Sequence, residues 1–410
     1  MQSAYRPQHS TETCLLKLHN DLTTAIDQGK AVFVVALDLS AALDTIDHQI
    51  LLRRLDQEFG IRGCALKWIE SYLAGRSQEV TVKDCVSSKI PLRFGVPQGS
   101  VLGPQLFTAY TTPLGKIIRS HLMPYLLYAD DNNLYITFDP TDRRQVLDVM
   151  ERLSLCIKDI QSWMTNNKLK LNEDKTEFLL ACAKQHLKHL KDITLDIGGS
   201  IIPQSETVKL LGVRFDRHLT MSSHVNDVCR AANFHLYKIG KIRHLLTESA
   251  TVSAVRTLVL SRMDYCNGLL SGATSEILRK LQLIQNSAAR LVMRKSKREH
   301  ITPLLFDLHW LPVAARVEYK VALMVFKCLQ QTVPRYLQSA IATYTPSRAL
   351  RSSNQSLCNQ TQAKKCIGRC AFTVAGPHVW NILPPKLRAI DTLDLFKSNL
   401  KTHLFRKYLC

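Results

Sequence analysis

Two rhythms of hydrophobic and polar positions run along this chain, and a few apolar stretches follow neither. Ala31-Val32-Phe33-Val34-Val35-Ala36-Leu37 is continuous apolar sequence, long enough for a strand covered on both faces, and it ends at Asp38. Two more strand-like runs, Met123-Pro124-Tyr125-Leu126-Leu127 and Leu134-Tyr135-Ile136-Thr137-Phe138, flank Tyr128-Ala129-Asp130-Asp131. Helical spacing appears from Thr13 to Ile26 (Leu15, Leu18, Leu22, Ile26), from Ile46 to Phe59 (Ile50, Leu51, Leu55) and from Ala65 to Leu73. Glu79–Val82 and Ser87–Phe94 predict a hairpin, Asp142 to Leu169 a long amphipathic helical region, and Glu177–Ala181 a strand. Thr207 to Phe215 predicts a short hairpin completing an antiparallel sheet with helices on one face.

From Asp216 the pattern turns helical. Glu276 to Arg294 is clearest, with Ile277, Leu281, Ile284, Ala288 and Leu291 on one stripe, and Arg279, Lys280, Arg290 and Arg294 off it. Leu395–Tyr408 predicts a basic terminal helix, and Ser347 to Ser353 a polar loop. The fold class expected is α+β, with a helical region and a basic C-terminal segment after the sheet.

The acids at the strand ends change this picture. A tight hairpin favours Asn-Gly or Asp-Gly at its centre, because the turn needs positive φ. Ala129-Asp130-Asp131 instead sets two mutually repelling carboxylates beside an apolar sheet, a local cost more typical of function than of folding. Adjacent strands can bring Asp38 to the same point. Singly, each motif reads as an ordinary turn; together, three carboxylates suit hard divalent cations beside substrate phosphates.

Charge points the same way. Among 410 residues, Lys+Arg outnumber Asp+Glu by 54 to 34, a formal charge of +20, which fits a polyanionic partner. The 46% hydrophobic content supports a sizeable core and two or three domains. Twelve scattered cysteines behind a polar start read as free thiols in a reducing compartment. No uncharged stretch approaches the ~20 residues needed to span a bilayer. Cys366-x3-Cys370-x7-His378 lacks a fourth ligand at sensible spacing, so a zinc knuckle is not favoured.

Three segments in order, Ala36-Leu37-Asp38-Leu39-Ser40-Ala41-Ala42, Gly95-Val96-Pro97-Gln98-Gly99-Ser100-Val101-Leu102-Gly103-Pro104 and Tyr128-Ala129-Asp130-Asp131, resemble successive motifs of a reverse transcriptase. The version resembles that of non-LTR retrotransposons, in the chicken-repeat-like LINE group. Ser162-Trp163-Met164, Lys168-Leu169-Lys170-Leu171-Asn172 and Asp174-Lys175-Thr176-Glu177 resemble the next palm motif, and Leu210-Leu211-Gly212-Val213 the primer-grip hairpin. Arg262-Met263-Asp264-Tyr265-Cys266-Asn267, Gln285 to Arg290 and His309-Trp310-Leu311-Pro312-Val313 resemble its C-terminal continuation.

The resemblance implies RNA-directed DNA polymerisation with an RNA template, a DNA primer and dNTPs, and no membrane. It implies two Mg²⁺ ions, with Mn²⁺ as a substitute, held by Asp38 and Asp130, with Asp131 a weaker ligand. Lys175 is the implied proton donor to pyrophosphate. Gln98 and Gly99 are implied to lie against template base and nucleotide, and Leu43 stands where the family has an aromatic that excludes a ribose 2′-OH. Arg6 would be a remnant of the triphosphate-clamping surface. The corresponding divisions are 1–30 fingers remnant, 31–215 palm, 216–300 helical thumb and 301–410 basic C-terminal region. Such a chain is expected to be N-terminally truncated, and the alternative is a catalytically inactive nucleic-acid-binding relic.

Overall fold

A computed structural model describes residues 2–190, 193–345 and 356–410; the polar loop expected at Ser347 to Ser353 lies outside the described residues. Helix outweighs strand, 54% to 16%, around a central sheet, so the class is α+β as expected. The chain divides into two units, one of residues 1–7, 32–180 and 185–205, the other of 8–31, 181–184 and 206–410.

In the first unit the Ala31–Ser40 strand is central to a five-stranded sheet. It lies between the strand Asp131–Phe138, whose outer neighbour is Tyr125–Tyr128, and the strand Lys170–Ala181, whose outer neighbour is Gln204–Ser205. Every residue from Ala31 to Val35 is fully buried, which is why the run needs no polar alternation. Phe33 registers the three inner strands: its ring stacks on Phe138 at 4.3 Å and tilts against Phe178 at 5.2 Å. Aromatic pairs at such distances add to the area buried.

Helices His48–Phe59, Gly63–Leu73, Gly103–Thr111 and Arg143–Asn166 are the longer helices of this unit. Asp47 caps the first by accepting from Ile50 N at 3.0 Å, and left-handed Gly60 ends it. Arg54 ties three helical segments together, its guanidinium 5.1 Å from the Tyr110 ring and 5.6 Å from the Trp163 ring. It also donates to Asn167 Oδ1 at 2.7 Å, while Tyr110 donates its hydroxyl to Asn167 O at 2.6 Å.

Two expectations fare differently. The 79–94 hairpin exists only as two-residue ladders, Thr81–Val82 with Cys85–Val86 and Ser77–Gln78 with Ile90–Pro91. Those eight residues are all exposed, so no buried face extends the pairing. The Thr207–Phe215 hairpin forms, Thr207–Leu210 pairing with Val213–Asp216, but it is a separate two-stranded sheet and completes nothing in the central one. Its partner face is taken by the helix Ser222–Ile242 instead.

The second unit is largely helical. Helix Ser275–Met293 buries Ile277, Leu281, Ile284 and Ala288 as the stripe predicts, with Val292 in place of Leu291 at the end. The terminal helix Leu393–Leu409 inserts Phe396 between Phe326, stacked at 4.3 Å, and Trp380 at 5.7 Å. Helix Thr11–Asp27 is held by its polar residues: Asp27 accepts from Lys364 N and Lys365 N at 3.0 and 2.6 Å. Gly368 is forced there, since a Cβ would lie 2.4 Å from the Asp27 carboxylate. Among the described residues no helix is long and apolar enough to cross a membrane.

Candidate active site

Sheet order brings the acids toward one end of the first unit. Asp38 lies near the end of the central strand, and its neighbour strand begins at Asp131. Tyr128 pairs with Asp131, so Ala129 and Asp130 alone make the turn. Ala129 adopts φ +55, the left-handed region, where a Cβ costs about 1–2 kcal/mol. Ala129 thus adds a backbone cost to the electrostatic one expected of the acids. Asn132 closes the turn by donating its side-chain amide to Asp130 O at 2.8 Å.

Asp38 is partly buried, whereas Asp130 and Asp131 keep exposed surface. The Asp131 carboxyl is nonetheless raised to about 6, first by desolvation, then by the charge of Asp130, then by that of Asp38. All three acids therefore share one electrostatic neighbourhood. Lys175 enters it from the other flanking strand, its ammonium 3.6 Å from Asp38 Oδ2 and mostly solvent-exposed.

Among the described residues no three His, Cys, Asp or Glu side chains converge into a ready-made metal cage. Mg²⁺ does not require one: it keeps several waters and binds through one or two carboxylates plus substrate phosphates. Hard carboxylate oxygens, those of Asp130 and Asp131 exposed, with one exposed ammonium beside Asp38, fit such an ion.

The second cluster surrounds Gln98. Its amide donates to both oxygens of Asp44, at 2.9 and 3.1 Å. The backbone beneath is laced by Gly95 N to Ile46 O at 2.8 Å and Val96 N to Leu43 O at 2.9 Å, and His48 Nε2 meets Gly95 O at 2.7 Å. Asp44, His48, Arg76, Gln78, Phe94 and Gln98 line a cleft of about 550 Å³. Leu43 is half-buried in the turn leading to Asp44. Gly99 has φ +77 with open space around it, so its conformation, not crowding by protein, requires glycine.

Gly95, which the sequence motif contains but does not single out, is the tighter position: φ is +86 and a Cβ would sit 2.8 Å from Asp44 O. Gln2 was overlooked too. Its side chain meets Ala129, and its carbonyl accepts from Arg6 Nη1 at 3.2 Å, which puts exposed Arg6 beside the same turn. Nothing in local sequence signals a contact spanning 127 positions.

Residues 1–215 match the family described as reverse transcriptase (RNA-dependent DNA polymerase). The chain is 24% identical over 302 residues to the RNA-directed DNA polymerase from mobile element jockey of Drosophila melanogaster, covering 71% of this chain and 31% of that protein. It is 26% identical over 308 residues to a probable RNA-directed DNA polymerase from transposon BS of the same organism, covering 71% and 32%. The chain thus spans about a third of the length of these relatives. Apo telomerase from Candida tropicalis aligns over 79% of this chain and 56% of its own at 12% identity, with a TM-score of 0.35, too slight to bear on the fold. With the ordered motifs and the family match over more than half its length, the chain belongs to the reverse transcriptases, on the non-LTR retrotransposon side of that family.

Proposed function

We propose that this chain carries the polymerase centre of an RNA-directed DNA polymerase, extending a DNA primer on an RNA template with dNTPs. Asp38 and Asp130 would hold two Mg²⁺ ions, or Mn²⁺ in their place, with Asp131 at the margin because burial and the neighbouring Asp130 charge push its carboxyl up. Such ions, when bound, activate the primer 3′-oxygen and neutralise charge on the departing pyrophosphate. The protein's own part is positioning. The strand and hairpin would hold the carboxylates at one site, Lys175 would give a proton to the leaving group, and the Gln98 loop would offer a surface for the nascent base pair. Leu43 would guard the sugar, with a looser exclusion of ribonucleotides than an aromatic gives, and Arg6 would face the triphosphate.

One observation supports this reading above the others: the central strand bearing Asp38 is flanked on one side by the Asp131 strand and on the other by the Lys175 strand. A fold using those residues as plain turns has no need to set the acid-bearing and lysine-bearing strands side by side.

The test gives the purified chain poly(rA), oligo(dT), dTTP and Mg²⁺ or Mn²⁺, alongside a mobility shift at several salt concentrations. Primer extension is the expected result. Salt-sensitive binding with no extension under either metal would instead establish the non-catalytic relic, since phosphate contacts alone supply that binding.

A further inference from the structure

The strained turn between the strands is not left to hold itself. Ala129 N donates to Gln2 Oε1 at 3.0 Å, and Gln2 Nε2 donates to Ala129 O at 3.2 Å, so one amide grips both polar groups of the left-handed residue. Ser3 N and Ala4 N also converge on Gln2 Oε1, each at 3.0 Å, which fixes the amide orientation because the opposite one would set donor against donor. Gln2 is bridged in parallel to Leu127, and Ser3 N donates to Leu127 O at 2.9 Å. Ser3 and Ala4 are buried, so the segment is anchored immediately after Gln2.

From this geometry we infer that Gln2 is a positioning residue for the reaction: its side-chain amide clasps Ala129 and so sets the aim of the neighbouring Asp130 carboxylate. It touches no reacting atom. A left-handed Ala has an easier alternative in the ordinary β or αR regions, and a turn of two residues that relaxes there must re-aim the next side chain. Four hydrogen bonds to one amide are what oppose that relaxation. Asp130 itself is exposed. The inference rests on the polymerase reading for its catalytic consequence, but the clasp's effect on cation binding can be read without catalysis.

The experiment compares the full chain with Gln2→Ala, Gln2→Glu and Asp130→Ala. Mn²⁺ binding is followed by the free-ion EPR signal, and dTTP incorporation on poly(rA)·oligo(dT) by steady-state kinetics. Thermal unfolding and the mobility shift serve as folding controls. Gln2→Ala should bind Mn²⁺ about tenfold more weakly, as loss of outer partners of metal ligands does. Its kcat should fall about a hundredfold, the effect of roughly 1 Å of misplacement, with the dTTP KM and duplex binding unchanged. Gln2→Glu keeps the acceptor for the converging N–H groups and should retain more of both than Gln2→Ala. Unchanged Mn²⁺ affinity in Gln2→Ala would overturn the inference, as would a loss of folding in step with the loss of affinity. If the parent chain extends no primer, the polymerase reading fails on its own, while the Mn²⁺ titration still decides the clasp.

Discussion

Gly95→Ala isolates the contact that seats the Gln98 loop. The added methyl carbon would lie 2.8, 2.9 and 3.0 Å from Asp44 O, Cα and C, all backbone atoms that cannot rotate away. A φ of +86 adds about 1–2 kcal/mol for a residue with a Cβ. Relief by separating the two segments would weaken Gly95 N to Ile46 O and Val96 N to Leu43 O, each worth about 1 kcal/mol net. The whole effect is on the order of 3 kcal/mol, or near 10 °C in midpoint for a unit of this size. Gly99→Ala is the internal control: its φ of +77 is also unfavourable, but nothing lies within 4 Å, so about 1 kcal/mol is expected. Because Gln98 rests on Asp44, Gly95→Ala should also raise the KM for dTTP severalfold. Thermal unfolding and steady-state extension read both effects. Equal midpoints for the two alanine variants would refute the close approach.

Other perturbations probe separate parts of the account. His19 is fully buried with neither ring nitrogen partnered, and desolvation lowers it from 6.5 to about 4 against a weaker opposing pull from Asp216. Its stabilisation is complete above pH 6.5 and is lost as pH falls towards 4, because the unfolded chain takes up a proton the native one refuses. The full effect is ~3 kcal/mol. His19→Phe should flatten much of the acid limb of stability against pH, leaving the part due to His224, also lowered by burial; an unaltered limb would refute the assignment. Lys175→Ala removes an exposed ion pair worth at most about 1 kcal/mol, so the midpoint should hold. Incorporation should fall about a hundredfold if the ammonium is the proton donor, and equal rates would remove that role. Leu43→Phe should increase discrimination of dTTP over UTP by about tenfold, measured as a ratio of kcat/KM; no change would count against a gate at this position.

Much of the architecture was legible because burial writes itself into sequence. The run from Ala31 to Leu37 has no polar interruption, and the strand it forms is covered on both faces. The Ile277-to-Ala288 stripe maps onto the buried side of its helix for the same reason. Legibility ended where a partner lay far away in sequence. Thr207–Phe215 has the pattern of a hairpin, but pattern does not say which sheet a hairpin joins. Exposure defeated the 79–94 reading, since alternation without a buried face does not sustain a ladder. At the candidate site the acids announced themselves through their own electrostatic cost. Gly95 and Gln2 did not, because a glycine's necessity depends on what stands opposite, and an amide's role on which backbone it meets.

If Asp38 and Asp130 serve one cation-dependent centre, neutralising either must remove polymerisation and nothing else. Asp38→Asn and Asp130→Asn keep shape and hydrogen-bonding capacity while removing charge, so each should fold and shift poly(rA)·oligo(dT) as the parent does. Primer extension by each should fall by about a thousandfold or more in Mg²⁺. Extension by either variant within a few fold of the parent, under conditions where the parent depends on divalent metal, would contradict the account.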